Sequence, residues 1–416
     1  MKKKILFIIT GLFMIGMMSG CSDSKQQESV SKDEQKPIEE EIEVTEDVEN
    51  AENPEKEAES TEEQKTNPLV ELLQDPYGNY QSEGGEIAFV VGGTVMDGSF
   101  NGAIYDGVRI YASSAGISFS YYLAEEDSPA AYRESIENAI ESQAKIVVGA
   151  GMSMEKAVGE LQNNYPDIAF LLVDGVPIDE EGNDVEIADN VHCVSFREEE
   201  SGYLAGYMTV LEGYHKLGFI GGKETPPVMR YGYGYLQGID DAVQDTGAED
   251  VTVEYWYSNS YEPDDAITEV AMGWYAEGTE VIFACGGHLY ESVCMAAEQK
   301  EGWMIGVDVD QSRLSDRFLT SAIKNTSNAV IISLDDFYAA GMHWPKDMAG
   351  QESIYGIEDN CTGIPLYNTE WRFQNVTMDD LYKVYKRIKA GEIEISDDIS
   401  KLPQVSYTVN VYESGE

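Results

Sequence analysis

From residue 86 onward, short apolar runs alternate with stretches that carry a helical period. The runs at 87–91, 118–122, 146–148, 169–173 and 191–195 have the length of strands, and helices are predicted between them at 101–114, 130–142 and 154–165. Such alternation marks βαβ units on a parallel sheet. A second series repeats the pattern: helix 199–211, strand 216–220, helix 231–246, strand 252–257, helix 264–276, strand 281–284, helix 290–300 and strand 304–307. Two successive sets predict two similar doubly wound lobes facing one another across a cleft. The tail is sparser, with helices at 328–342 and 378–390, closed by Pro345 and Gly391, and an alternating strand at 405–411.

In open α/β sheets ligands bind at the carboxyl ends of the strands, and right-handed crossovers put those ends on one side. Here the ends carry Asp174, Gly221-Gly222, Gly286-Gly287 and Asp308. The first strand leads into Met96-Asp97-Gly98-Ser99-Phe100-Asn101-Gly102, where Asp97 or Ser99 can cap the following helix. Phe100 then either fills the core or offers a flat platform to a ligand. A second aromatic group, Trp256, Tyr257 and Tyr261, surrounds the turn Ser258-Asn259-Ser260. A planar heterocycle held between two rings gains about 0.5–1.5 kcal/mol of stacking per ring beyond area burial. Asp174 and Asp308 can accept from vicinal hydroxyls or N–H edges, each charge-assisted bond contributing roughly 1.5–3 kcal/mol. Lys324, ending the run Ser321-Ala322-Ile323, can donate to hydroxyl oxygens or offset a neighbouring carboxylate.

Catalytic signatures are missing. His192, His215, His288 and His343 share no metal-ligand spacing, and there is neither a nucleophile elbow nor a phosphate-binding Gly-Lys-Ser/Thr loop. Asp308-Val309-Asp310 could take a divalent cation, but a hard cation needs several further oxygens, and none is identifiable. No catalytic residue, metal or cofactor is therefore expected.

The 416 residues suffice for two full-sized cores. The first 21 stand apart: Lys2-Lys3-Lys4 precede an apolar stretch from Ile5 to Met18, which Ser19-Gly20-Cys21 closes. That stretch is shorter than the ~20 residues that span a bilayer and reads as an export signal, either a plain one or a lipoprotein one. Residues 22–66 hold seventeen acidic and five basic side chains with few large apolar ones, the composition of a disordered tether. The total formal charge of −50 repels phosphate backbones and argues against a nucleic-acid partner. Beyond Cys21, Cys193, Cys285, Cys294 and Cys361 fit disulfides or buried thiols equally, and their spacing matches no zinc pattern.

The chain resembles the basic-membrane-protein family of substrate-binding lipoproteins, whose type is the purine-nucleoside-binding PnrA. The resemblance covers residues 87–325 and rests on the order and spacing of several stretches behind a lipoprotein-like signal. These are Asp97 to Asn101 with Gly107, Glu200 to Gly206, Lys216 to Gly222, Tyr231 to Gly238, Trp303 to Gln311 and Ser321 to Asn325. It implies a type I periplasmic-binding-protein fold, with two Rossmann-like lobes joined by a hinge and a nucleoside, purine above all, held in the cleft for delivery to an ABC importer. It further implies cleavage before Cys21 and lipidation of its sulfur, leaving a monomer on the outer face of the cell membrane, attached through the anchor alone. By similarity Phe100 stacks on one face of the base and Tyr261, where a Phe is usual, on the other. Asp174 meets the base edge, Asp308 and Lys324 meet the ribose hydroxyls, Gly286 approaches through its backbone, and Ser99 and Asn101 line the pocket. One position departs: the family usually carries Asp or Asn nine residues before the stacking Phe, and Val91 stands there.

The expected organisation is a signal peptide at 1–21, a tether at 22–67, one lobe at 85–196 with part of 325–345, and a second at 197–324 with part of 346–416. Three other readings stay open. The same scaffold could bind a sugar or other small polar ligand, it could act as a sensor, or it could be a surface nucleosidase or metal-dependent hydrolase using Asp308 and Asp310.

Overall fold

The computed structural model describes residues 85–412. The signal segment with Cys21 and the acidic tether lie outside the described residues. The chain opens as a regular alternation: β1 (Ile87–Val91), α1 (Phe100–Ala115), β2 (Phe119–Leu123), α2 (Pro129–Glu141), β3 (Ile146–Ala150), α3 (Glu155–Leu161), β4 (Ala169–Val173) and β5 (Val191–Phe196). All of β1, β3 and β4 is buried. Ile87, Phe89 and Val91 feed the core on one face of the sheet, and Ala88 and Val90 that on the other. Strands covered on both faces have no polar side to show, so they read as unbroken apolar runs.

A second alternation follows with α4 (Glu198–Glu212), β6 (Lys216–Gly221), α5 (Pro226–Thr246), β7 (Thr252–Tyr257), α6 (Asp265–Glu277), β8 (Val281–Cys285), α7 (Tyr290–Lys300), β9 (Trp303–Asp308) and β10 (Phe318–Lys324). The chain then runs through α8 (Thr326–Ala339), β11 (Gln351–Tyr355), β12 (Thr362–Gly363), α9 (Met378–Lys389) and β13 (Thr408–Tyr412). Strand order is β11-β5-β4-β3-β1-β2 in the first sheet and β12-β10-β9-β8-β6-β7-β13 in the second. The inner order is the same in both, so the doubly wound pattern occurs twice. Pairing is parallel throughout except between β10 and β12.

The sheets are joined three times, between β5 and α4, between β10 and α8, and between β11 and β12. Hydrogen bonds tie these passages together. Ser201 donates to the Ile323 carbonyl at 2.6 Å and accepts from Gly363 N–H at 2.7 Å, while Glu200 accepts from Ile357 N–H at 2.7 Å and from the Thr362 hydroxyl at 2.5 Å. After the second passage α8 packs into the first core through Ala329, Val330, Leu334 and Phe337. In the second core α4 and α5 pack almost backbone to backbone: a Cβ at Gly202 or Gly238 would stand 2.0 Å from the carbonyl oxygen of Tyr231 or Tyr203. Only glycine permits that approach.

Some elements differ from expectation. The helix expected at 154–165 is the shorter α3, the tail strand begins at Thr408, and β11 extends the first sheet beyond the strands read from the pattern. All four described cysteines are free, with Cys193, Cys285 and Cys361 buried.

Candidate functional site

The expected ligand residues sit at the carboxyl ends of strands from both sheets. Asp174 directly follows β4 and Asp308 ends β9, and both adopt left-handed backbone, φ +60° and +64°. Asp tolerates this region better than bulkier residues, and such conformations concentrate at functional sites.

At the start of α1, Asp97 provides the helix's side-chain hydrogen bonds. Its carboxylate accepts from the N–H groups of Ser99 at 3.0 Å, Asn101 at 2.8 Å and Gly102 at 2.8 Å. Ser99 occupies the cap position without capping, and its hydroxyl donates instead to Asp308 Oδ2, 2.6 Å away on the other sheet. Tyr231 donates to Asp308 Oδ1 at 3.3 Å, and Gln311 Nε2 reaches the Gly98 carbonyl at 3.3 Å.

Lys324, at the end of β10, crosses in the opposite sense. Its ammonium pairs with Asp174 Oδ2 and with Glu198 Oε1 at 3.3 Å. Arg230 meets the other oxygen of Glu198 at 2.5 Å. Three rings face the ammonium, with centroids 4.9 Å away for Phe100, 5.6 Å for Phe196 and 5.8 Å for Tyr231. Burial alone would push the lysine toward its neutral form, but Asp174, Glu198 and Asp308 more than offset it and hold the ammonium charged. Burial pushes the Glu198 and Asp308 carboxyls up, with Lys324 working against it in both. Asp174 Oδ1 is buried and has no partner among the described residues, which makes it an acceptor in want of a donor.

Tyr261 and Gly286 form a second group. The ring edge of Tyr261 lies against Gly286, whose φ of +133° would strain any residue with a Cβ, and its hydroxyl is 3.1 Å from Thr225 Oγ1. Among the described residues Phe100 and Tyr261 make no ring contact with each other. Asn101 plays a different part, its amide donating at 3.3 Å to the carbonyls of Gly92 and Thr94 and so bracing the loop after β1. Asp310 accepts from Ser312 N–H at 3.0 Å, and among the described residues no three His, Cys, Asp or Glu side chains converge as a metal would require.

Ser99, Phe100, Asp174, Asp308 and Lys324 thus come together, while Glu198, Arg230, Tyr231 and Phe196 were not foreseen. The one visible signal was the triple carboxylate Glu198-Glu199-Glu200 opening an apolar helix, which is costly unless the charges find partners.

Two parallel sheets whose strand ends oppose one another, joined by three passages, define the two-lobed fold of the type I periplasmic-binding-protein kind. Solved structures share this architecture. The solute-binding protein of an ABC transporter system from Conexibacter woesei is 17% identical with a TM-score of 0.60, over 75% of this chain and 98% of that one. Its counterpart from Aeropyrum pernix is 18% identical with a TM-score of 0.58, over 74% and 86%. The family model for "ABC transporter substrate-binding protein PnrA-like" matches residues 85–398, and the chain belongs to that family. Its members are substrate-binding proteins of ABC transporters, not enzymes, and they work outside the cytoplasm in association with a membrane. Among relatives, basic membrane protein B of Borreliella burgdorferi is 27% identical over 289 residues, 68% of this chain and 81% of that protein. The ABC transporter nucleoside-binding protein BmpA of Lactococcus lactis is 27% identical over 252 residues, 58% and 67% respectively. No helix among the described residues is long and apolar enough to cross a membrane.

Proposed function

We propose that the protein captures a nucleoside, purine above all, between its two sheets and presents it to an ABC permease. The observation that carries this reading is Asp174 Oδ1, a buried acceptor without a partner among the described residues, beside Lys324. In this reading Asp174 accepts from an N–H on the base edge. Asp308 accepts hydrogen bonds from ribose hydroxyls in place of the bond from Ser99, and Lys324 donates to the same hydroxyl oxygens. Phe100 and Tyr261 supply the two faces, Gly286 allows close approach of backbone, and Asn101 braces the loop behind Phe100. The nucleoside-binding relative from Lactococcus lactis supports the ligand class. The protein acts as a monomer, tethered through a lipid on Cys21.

Calorimetry of the protein from residue 22 onward tests the ligand, with inosine, guanosine, adenosine, D-ribose and the free bases. Nucleosides are expected to bind below micromolar, ribose and free bases far more weakly, and absence of heat with every nucleoside would overturn the reading. Mass spectrometry of the membrane-extracted protein tests the anchor, which requires a diacylated Cys21 as the first residue.

A second reading, a small sugar as ligand, draws on Val91. It is 1% exposed and apolar at the end of β1, so its side chain offers no hydrogen-bonding group to a base edge. A co-purifying compound with no ultraviolet absorbance would favour the sugar.

A further inference from the structure

Thr225 holds the cap position of α5, yet its hydroxyl makes no capping bond. Pro226 and Pro227 follow, and neither has an N–H, so the helix start asks less of a threonine than usual. The hydroxyl lies instead 3.1 Å from that of Tyr261.

Tyr261 is gripped elsewhere as well. One edge of its ring lies so close to the backbone of Gly222 and Gly286 that a Cβ there would stand 2.5 Å and 3.0 Å from ring carbons. Its carbonyl accepts from His288 N–H at 2.7 Å, and the Lys223 ammonium is 5.5 Å from its ring centroid. These contacts divide the work. The glycine walls limit rotation of the ring about its long axis, but a flat wall does little to stop the axis from swinging. The hydroxyl lies on that axis at its far end, so a bond there fixes the direction in which the ring points.

We infer that Thr225 is a positioning residue for ligand capture, aiming Tyr261 so that its face meets a planar ring in the cleft. The inference rests on the nucleoside reading for its ligand and goes beyond it in assigning the aim of the aromatic wall to a residue that acts through Tyr261. A ligand with a flat heterocycle depends on Thr225, whereas a bare pentose does not.

The test compares Thr225→Val, Thr225→Ser, Tyr261→Phe and the double variant Thr225→Val/Tyr261→Phe in calorimetric titrations with inosine and with D-ribose. Loss of one neutral hydrogen bond predicts inosine binding weakened by roughly three- to tenfold in Thr225→Val. Ribose binding should be unchanged, Thr225→Ser should return to wild type, and the double variant should be no weaker than Tyr261→Phe. Wild-type inosine affinity in Thr225→Val, additive losses in the double variant, or equal losses for inosine and ribose would each overturn the proposal. A ligand-free arm separates this from the nucleoside reading. In protein carrying 3-fluorotyrosine, the fluorine resonance absent from Tyr261→Phe reports the ring. It should shift or broaden in Thr225→Val and return in Thr225→Ser. An unchanged resonance overturns the positioning role even if no nucleoside binds.

Discussion

Replacing Lys324 by Met keeps most of the side-chain volume but removes the ammonium on which Asp174 and Glu198 converge, in a place 4% exposed. Removing one partner of a buried ion pair costs about 3–5 kcal/mol, because the opposite charge stays buried without compensation. Here Arg230 still compensates one oxygen of Glu198, while Asp308 keeps only its bonds from Ser99 and Tyr231. A loss of about 3–5 kcal/mol near pH 8 is therefore expected in urea denaturation. The pH dependence follows from the direction of the shifts. Burial already raises the Glu198 and Asp308 carboxyls, and without Lys324 they rise further. A carboxyl raised in the folded state gives full stability below its unfolded value and loses it as pH rises through the folded value. In the wild type the lysine is raised, so its contribution is complete below its unfolded value, close to 10.5. The gap between variant and wild type should thus be small at about pH 5 and wide at about pH 8. A gap below about 1 kcal/mol at the higher pH, or an equal gap at both, would refute the reasoning.

Two further outcomes are accessible by the same denaturation assay. Glu199 is 2% exposed, has an oxygen without a partner among the described residues, and is pushed up from 4.5 to about 8 by burial, with Glu198 and Glu200 adding to the rise. Its stabilising contribution is complete below 4.5 and is lost as pH rises through about 8, an upper bound of roughly 5 kcal/mol that Glu199→Gln should abolish as a pH slope. Gly238→Ala places a methyl group 2.0 Å from the Tyr203 carbonyl oxygen, forcing α4 and α5 apart, and should cost at least about 1–3 kcal/mol, whereas alanine at Gly273, where nothing lies within 4 Å of a Cβ, should not destabilise.

The parallel strands were legible because burial on both faces leaves only apolar side chains, as in Ile87 to Val91 and Val281 to Cys285. Edge strand β11 (Gln-Glu-Ser-Ile-Tyr) was not, because an edge with largely exposed side chains carries no such signal, and its place beside β5 is set by backbone pairing. The same physics sorts the site. Asp174, Asp308 and Lys324 could be located because strand ends must gather on one side of a sheet. Arg230 and Tyr231 sit in the first turns of a helix, and nothing local marks that one meets Glu198, 32 residues away, and the other Asp308, 77 residues away. Asp97 and Ser99 were equal candidates for the same cap, and the choice was made across the cleft: Asp308 draws the Ser99 hydroxyl, and Asp97 takes the helix.

In the proposed mode of capture, a strand-end carboxylate of one sheet helps to grip a ligand held between both. Titration of the wild type and of Asp308→Asn with inosine tests it most directly. Loss of one charge-assisted hydrogen bond predicts affinity weakened roughly 10- to 150-fold in the variant at unchanged stoichiometry. Equal affinity in the two proteins, or no binding by the wild type, would contradict the account.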